Sequence, residues 1–174
     1  NYLNTLIQYI LMNRCVNLRN IKWVCHHLHI DKSKTITPNL LDESLKHMKA
    51  KWFIMRDIKE NYTEKDLEER MLDTTKSLVQ QGCKKMRTFI DVDNIVGLDC
   101  LHVANKVKKY WKDNDVELQI GTQLLEGLEQ KQNIELFNEA SNYVDFIGCL
   151  PSRDNDPEKH LDIVFSKAQE LNLD

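Results

Sequence analysis

The sequence predicts an α/β fold with parallel strands, and three observations predict it. From Tyr62 onward, helical and strand-like patterns alternate. The strand starts fall near residues 86, 116 and 144, so each unit takes about thirty residues. The segments between strands are long enough for right-handed parallel crossovers.

The elements follow in order. Thr63, three residues before Asp66, is placed to cap a helix. Its apolar stripe is Leu67, Met71, Leu72, Thr75, Leu78 and Val79, and Gly82 suits its end. Residues 86–92, rich in β-branched and aromatic side chains, read as a strand. Leu98, Leu101, Ala104, Val107 and Trp111 fall at helical spacing. Residues 116–121 read as a strand, 133–142 as a helix and 144–150 as a further strand. A final helix starts at Asp156 and Pro157, with Leu161, Val164, Phe165 and Ala168 as its buried stripe.

Two architectures fit this alternation: an open doubly wound sheet and part of a (β/α)8 barrel. Neither GxGxxG nor GxxxxGK[ST] occurs, which weakens a nucleotide-binding sheet. A complete barrel takes ~250 residues, and this chain has 174.

Composition narrows the function classes. With 24 Lys and Arg against 27 Asp and Glu, the net charge is -3 and the basic footprint of a nucleic-acid binder is missing. Apolar residues at 41% and charged residues at 29% fit a globular domain rather than a disordered one. The five cysteines are odd in number and contain no CxxC pair, which favours a reducing, cytoplasmic setting over a disulfide framework. The longest apolar run, 2–12, is broken by Asn4, Thr5 and Gln8 and is shorter than the ~20 residues of a membrane span.

One segment carries chemistry. His27 and His29 are two apart, which on a strand puts both imidazoles on one face, with His26 on the other. At the C-terminal end of a barrel's first strand they would converge on the mouth and hold a divalent metal, with further ligands from other strands. Asp91 and Asp93 alternate along a strand, either as groups behind such a site or as caps of the following helix. Arg153, Asp154 and Asp156 form a charged loop in which Asp156 suits an N-cap. His47, His102 and His160 lie in helical segments and read as surface or partly buried residues without chemistry.

His27 to Lys32, followed by Lys34 and Thr35, resembles the HxHxDKxxT signature of cytosine-deaminase-like amidohydrolases. Residues 87–93 resemble that family's RTHVDVD strand. Residues 118–120, with Glu126 and Gly127 beyond them, resemble its third strand and loop, and 151–162 resemble the segment after its fourth strand. The resemblance covers residues 21–174 and leaves 1–20 as a divergent lead-in. It implies a partial (β/α)8 TIM-type barrel of about four βα units.

It further implies a metal-dependent hydrolase of non-peptide carbon–nitrogen bonds, deaminating a heterocycle through metal-activated water. His27 and His29 would hold one divalent metal, iron or zinc. The partner would be a small heterocyclic amine or amide, with no nucleic acid and no membrane. Leu125 stands where the family commonly has a substrate-contacting glutamine, so Gln123, two residues earlier, is the substrate-binding candidate. Phe89 replaces the histidine of RTHVDVD. The family's other metal and catalytic residues would fall beyond Asp174, so the resemblance implies an incomplete barrel that pairs with a copy of itself or with a complementing C-terminal half. The alternative is a non-catalytic binding module on a degraded or truncated barrel.

Overall fold

Three parallel strands run in the order β1 (Trp23–Leu28), β2 (Cys83–Asp91) and β3 (Glu117–Gln123). The structure is a computed structural model and describes residues 23–174. The lead-in over 1–20, with its apolar run and Cys15, lies outside the described residues. Six α-helices accompany the strands among the described residues. A short 3-10 turn (Ile30–Lys32), α1 (Pro38–Lys46), α2 (Met48–Lys59) and α3 (Glu64–Gln80) connect β1 to β2. Helix α4 (Asp99–Lys112) connects β2 to β3, and α5 (Lys131–Ala140) and α6 (Pro157–Leu171) follow.

Alternation along β2 sets the layers. Met86, Thr88 and Ile90 are buried beneath the helices, while Arg87 and Phe89 are only half-buried on the other face. The core gathers Leu67 and Met71 of α3, Leu101, Ala104, Val107 and Trp111 of α4, Leu118 and Ile120 of β3, and Phe137 of α5. The Trp111 indole satisfies its one donor on Thr75 Oγ1 at 2.7 Å, joining α4 to α3 inside that core.

Local signals place several boundaries. Thr63 caps α3 by accepting from Asp66 N at 3.2 Å. Gly82 leaves that helix at φ +93°, a conformation that costs a glycine little. Asp156 caps α6 by accepting from Lys159 N at 3.0 Å, with Pro157 in the first turn. Helices α1 and α2 are additions that the sequence patterns did not reveal.

Two expectations are corrected. Residues 144–150 do not form a fourth strand; they make one isolated parallel bridge, Phe146 to Gly121. The backbone bond from Asp145 N to Ile120 O, at 2.7 Å, is joined there by side-chain bonds. Ile120 N donates to Asp145 Oδ2 at 2.8 Å, and Thr122 Oγ1 donates to Gly148 O at 2.8 Å. The sheet is therefore three-stranded, similar to part of a barrel rather than a closed one. In α6, Phe165 is exposed, and His160 takes the buried stripe with Val164. Among the described residues no helix is long and apolar enough to cross a membrane.

Candidate functional site

The C-terminal end of β1 places His27 in the strand and His29 immediately after it. Their Nε2 atoms are 3.1 Å apart and the rings meet edge to face, with centroids separated by 4.9 Å. Phe89 of β2 lies against both, at 4.7 Å from the His27 ring and 5.9 Å from that of His29. Phe146 packs on the Phe89 ring in turn, at 5.1 Å. Phe146 in turn needs Gly121, where a Cβ would stand 2.1 Å from its ring.

The donor set suits a divalent cation. Two imidazole nitrogens bound to one tetrahedral zinc at ~2.05 Å would lie about 3.3 Å apart. The observed 3.1 Å needs little adjustment. Burial lowers the pKa of His29, and the nearby charge of Lys32 lowers it further, which favours the neutral imidazole that a ligand requires. The buried Nδ1 of His29 has no hydrogen-bond partner among the described residues. A ligating histidine usually has such a partner. No group of three or more His, Cys, Asp and Glu that could hold a metal gathers among the described residues.

Beside the imidazoles lies a buried ion cluster. Lys32 Nζ donates to Asp91 Oδ1 at 2.5 Å and to Gln123 Oε1 at 2.5 Å. Lys59 of α2 pairs with the other oxygen of Asp91 and, at 2.6 Å, with Asp93. Burial works against the Lys59 charge, but Asp91 and Asp93 outweigh it and raise its pKa. Asp31 is fully buried and accepts from Asp91 N at 3.1 Å. Burial, with the Asp91 charge beside it, pushes its carboxyl up to about 6.

These contacts decide between the two readings of the β2 carboxylates. Asp91 is held by two lysines. Asp93 does not cap the following helix, whose N-cap is Leu98; it holds the turn before that helix, accepting from Ile95 N at 3.0 Å and Val96 N at 3.1 Å while it also pairs with Lys59. Gln123 shares its rung of the sheet with Asp91 and reaches Lys32 from there. Leu125 is half-buried, and its backbone oxygen accepts from Arg153 at 2.5 Å.

Arg153 and Asp154 tie the loop after β3 to its surroundings. Arg153 stacks over Trp52 of α2 at 4.4 Å. Asp154 accepts from Leu128 N at 2.8 Å and pairs with the fully buried His160 at 2.6 Å. His160 was expected at the surface or partly buried; it is an internal partner instead. Sequence reasoning missed Lys59 and the Asp154–His160 pair. Lys32 alone had a signal, as the lysine of HxHxDK.

No protein-family model matches the sequence. A Haemophilus influenzae protein described only as uncharacterised is 28% identical over 156 residues, which is 87% of this chain and 56% of that protein. Among solved structures, 5-methylcytosine deaminase from Klebsiella pneumoniae liganded with phosphonocytosine superposes at TM-score 0.74 with 25% identity, over 87% of this chain and 38% of the deaminase. The same enzyme with 5-fluorocytosine gives a TM-score of 0.72 at 24% identity, covering 87% of this chain and 37% of the enzyme. The fold is amidohydrolase-like. N-isopropylammelide isopropylaminohydrolase from Burkholderia multivorans has the same fold, at TM-score 0.66 and 22% identity over 84% of this chain and 37% of its own. The amidohydrolase-like chain thus spans little more than half of the curated relative, 56%, and less than two fifths of the solved enzymes.

Proposed function

We propose that His27 and His29 are two ligands of one divalent iron or zinc ion in a metal-dependent hydrolase of non-peptide carbon–nitrogen bonds. The carrying observation is the pair of Nε2 atoms 3.1 Å apart at the end of a parallel strand, where barrel enzymes keep their chemistry. The likeness to a deaminase liganded with cytosine analogues supports a small heterocyclic amine or amide as the substrate, with loss of its exocyclic nitrogen. Further ligands and the proton-transferring groups would come from the rest of a barrel, supplied by the same polypeptide, a complementing half or a second copy.

Each residue has a part. A bound cation supplies Lewis acidity that acidifies water near neutral pH. His27 and His29 would hold it through their Nε2 atoms, and Phe89 packs against both rings. Asp91 is neutralised by Lys32 and Lys59 and so stays out of the coordination shell. Gln123 offers its carboxamide one rung beyond Phe89, where a ring bound over the metal would meet it.

Zinc titration of the protein, followed by the imidazole nitrogen NMR signals, tests the ligand assignment. The Nε2 signals of both residues are expected to move together, and His27→Ala or His29→Ala to weaken binding at least about tenfold. Equal zinc occupancy in the His27→Ala, His29→Ala double variant would end the proposal.

A further inference from the structure

We propose that the apolar run 2–12 folds back against the base of the sheet and fills the groove beneath the strand starts, so that the chain covers this surface with its own lead-in. The proposal concerns the end of the sheet opposite the imidazoles and is independent of the hydrolase reading.

The groove has a volume of about 740 Å³. Trp23 and Val24 line it from the start of β1, Lys84 from that of β2, and Leu118 from that of β3, with Val116 just before it. It therefore runs across the foot of all three strands. Trp23 and Val24 are adjoining large apolar side chains left exposed, and adjoining apolar surface of this kind marks a place that something covers.

Continuity, composition and charge name the occupant. The lead-in enters the sheet at Trp23, so its point of attachment lines the groove. Ten residues, 13–22, join the run to Trp23. Fully extended they reach ~33 Å, whereas the outer strands of a three-stranded sheet lie only ~10 Å apart. Eight of the eleven residues in the run are apolar and none is charged. Its burial removes apolar surface from water and strands no ion.

The polar rim of the groove fits the same segment. Lys85 and Lys108 there pair with Glu117 and Asp145, and Lys84 and Lys112 add positive charge. The cations of the lead-in, Arg14, Arg19 and Lys22, all fall in the joining residues, outside the run that enters the groove. Asn4, Thr5 and Gln8 within the run carry oxygens that accept from ammonium groups. Lysine stems also pack on apolar side chains while their heads stay in water. A second copy would bring the same run, but a tethered segment acts at an effective concentration on the order of millimolar, which favours the chain's own run in dilute solution. The run covers side chains and adds no rung to the outer edge of β1.

Photocrosslinking in the whole chain tests this. With Val24 replaced by p-benzoylphenylalanine, the protein is irradiated at low micromolar concentration and the product mapped by mass spectrometry. A bond to a residue within 2–12, in a product of monomer mass, is expected. Leu6→Asp and Ile7→Asp each put a carboxylate into the apolar groove and should cut the yield about fivefold or more. Asn13→Asp, just outside the run, should leave it unchanged. In the chain with Val24 intact, the Trp23 indole NMR signal should move in Ile7→Asp, while that of Trp52 on α2 stays in place.

The Trp111 indole, which donates to Thr75 inside the core, reports whether a variant is folded. Where a variant loses that signal, the crosslink of the chain with its lead-in unsubstituted decides alone. Crosslinks confined to other segments, a product only at dimer mass, or an equal yield in folded Ile7→Asp would overturn the proposal.

Discussion

Lys59 shows at the scale of one residue why a site can be only half legible. The pair His27 and His29 was visible in the sequence because a strand's two-residue period makes spacing into geometry. Lys59 carries no such period. It reaches Asp91 and Asp93 from a helix 32 residues before Asp91, and nothing local marks a lysine that will be buried rather than solvated. Its removal should be costly, because the two carboxylates remain behind in a place water scarcely reaches. Lys59→Met is expected to destabilise the protein by about 3 kcal/mol, the range for breaking a buried ion pair on one side. Urea unfolding at neutral pH measures it. A loss below about 1 kcal/mol, the level of an exposed pair, would show that the cluster is open to solvent.

At the scale of elements, the segment after α5 explains what hydrophobic pattern could and could not deliver. Helices α3, α4 and α6 were legible from apolar spacing and from caps, Thr63 and Asp156 among them, and β2 and β3 from their branched and aromatic runs. Residues 144–150 have the same strand-like composition, yet only Phe146 bridges to β3. Composition reports which side chains will be buried; it does not report that a carboxylate will intercept the neighbouring backbone. Asp145 does this by accepting from Ile120 N at 2.8 Å, and its other oxygen pairs with the Lys108 side chain at 2.5 Å. Helices α1 and α2 were missed for the opposite reason. Their apolar residues Leu41, Leu45, Met48, Trp52 and Phe53 remain exposed, so their pattern is not that of a face turned to the core. Asp145→Ala should leave Ile120 N without its partner and cost about 1–3 kcal/mol. Amide exchange at Ile120 should rise with it, while exchange in α3 stays as in wild type. Unchanged protection at Ile120 would mean that backbone pairing from Asp145 N carries the segment by itself.

For the molecule as a whole, the candidate site stands on the least supported strand of the described sheet. Strand β2 is paired on both sides, whereas β1 has one partner strand among the described residues, and its register with β2 is interrupted near Trp23 and again between Cys25 and Leu28. Trp23 and Val24 are close to half exposed, at 46% and 47%. A strand with one ladder and few buried side chains opens locally, while a central strand opens only with the fold. Hydrogen exchange on the metal-free protein is therefore expected to run at least about tenfold faster for the hydrogen-bonded amides of β1 than for those of β2. The histidines would then sit on a rim that moves more than its base, and a ligand arriving from elsewhere in a barrel would both complete the coordination and steady the strand. Protection of β1 equal to that of β2 would contradict this. It would mean that the outer edge of β1 is already covered, and if that protection fell on dilution, a second copy of the chain would be the cover.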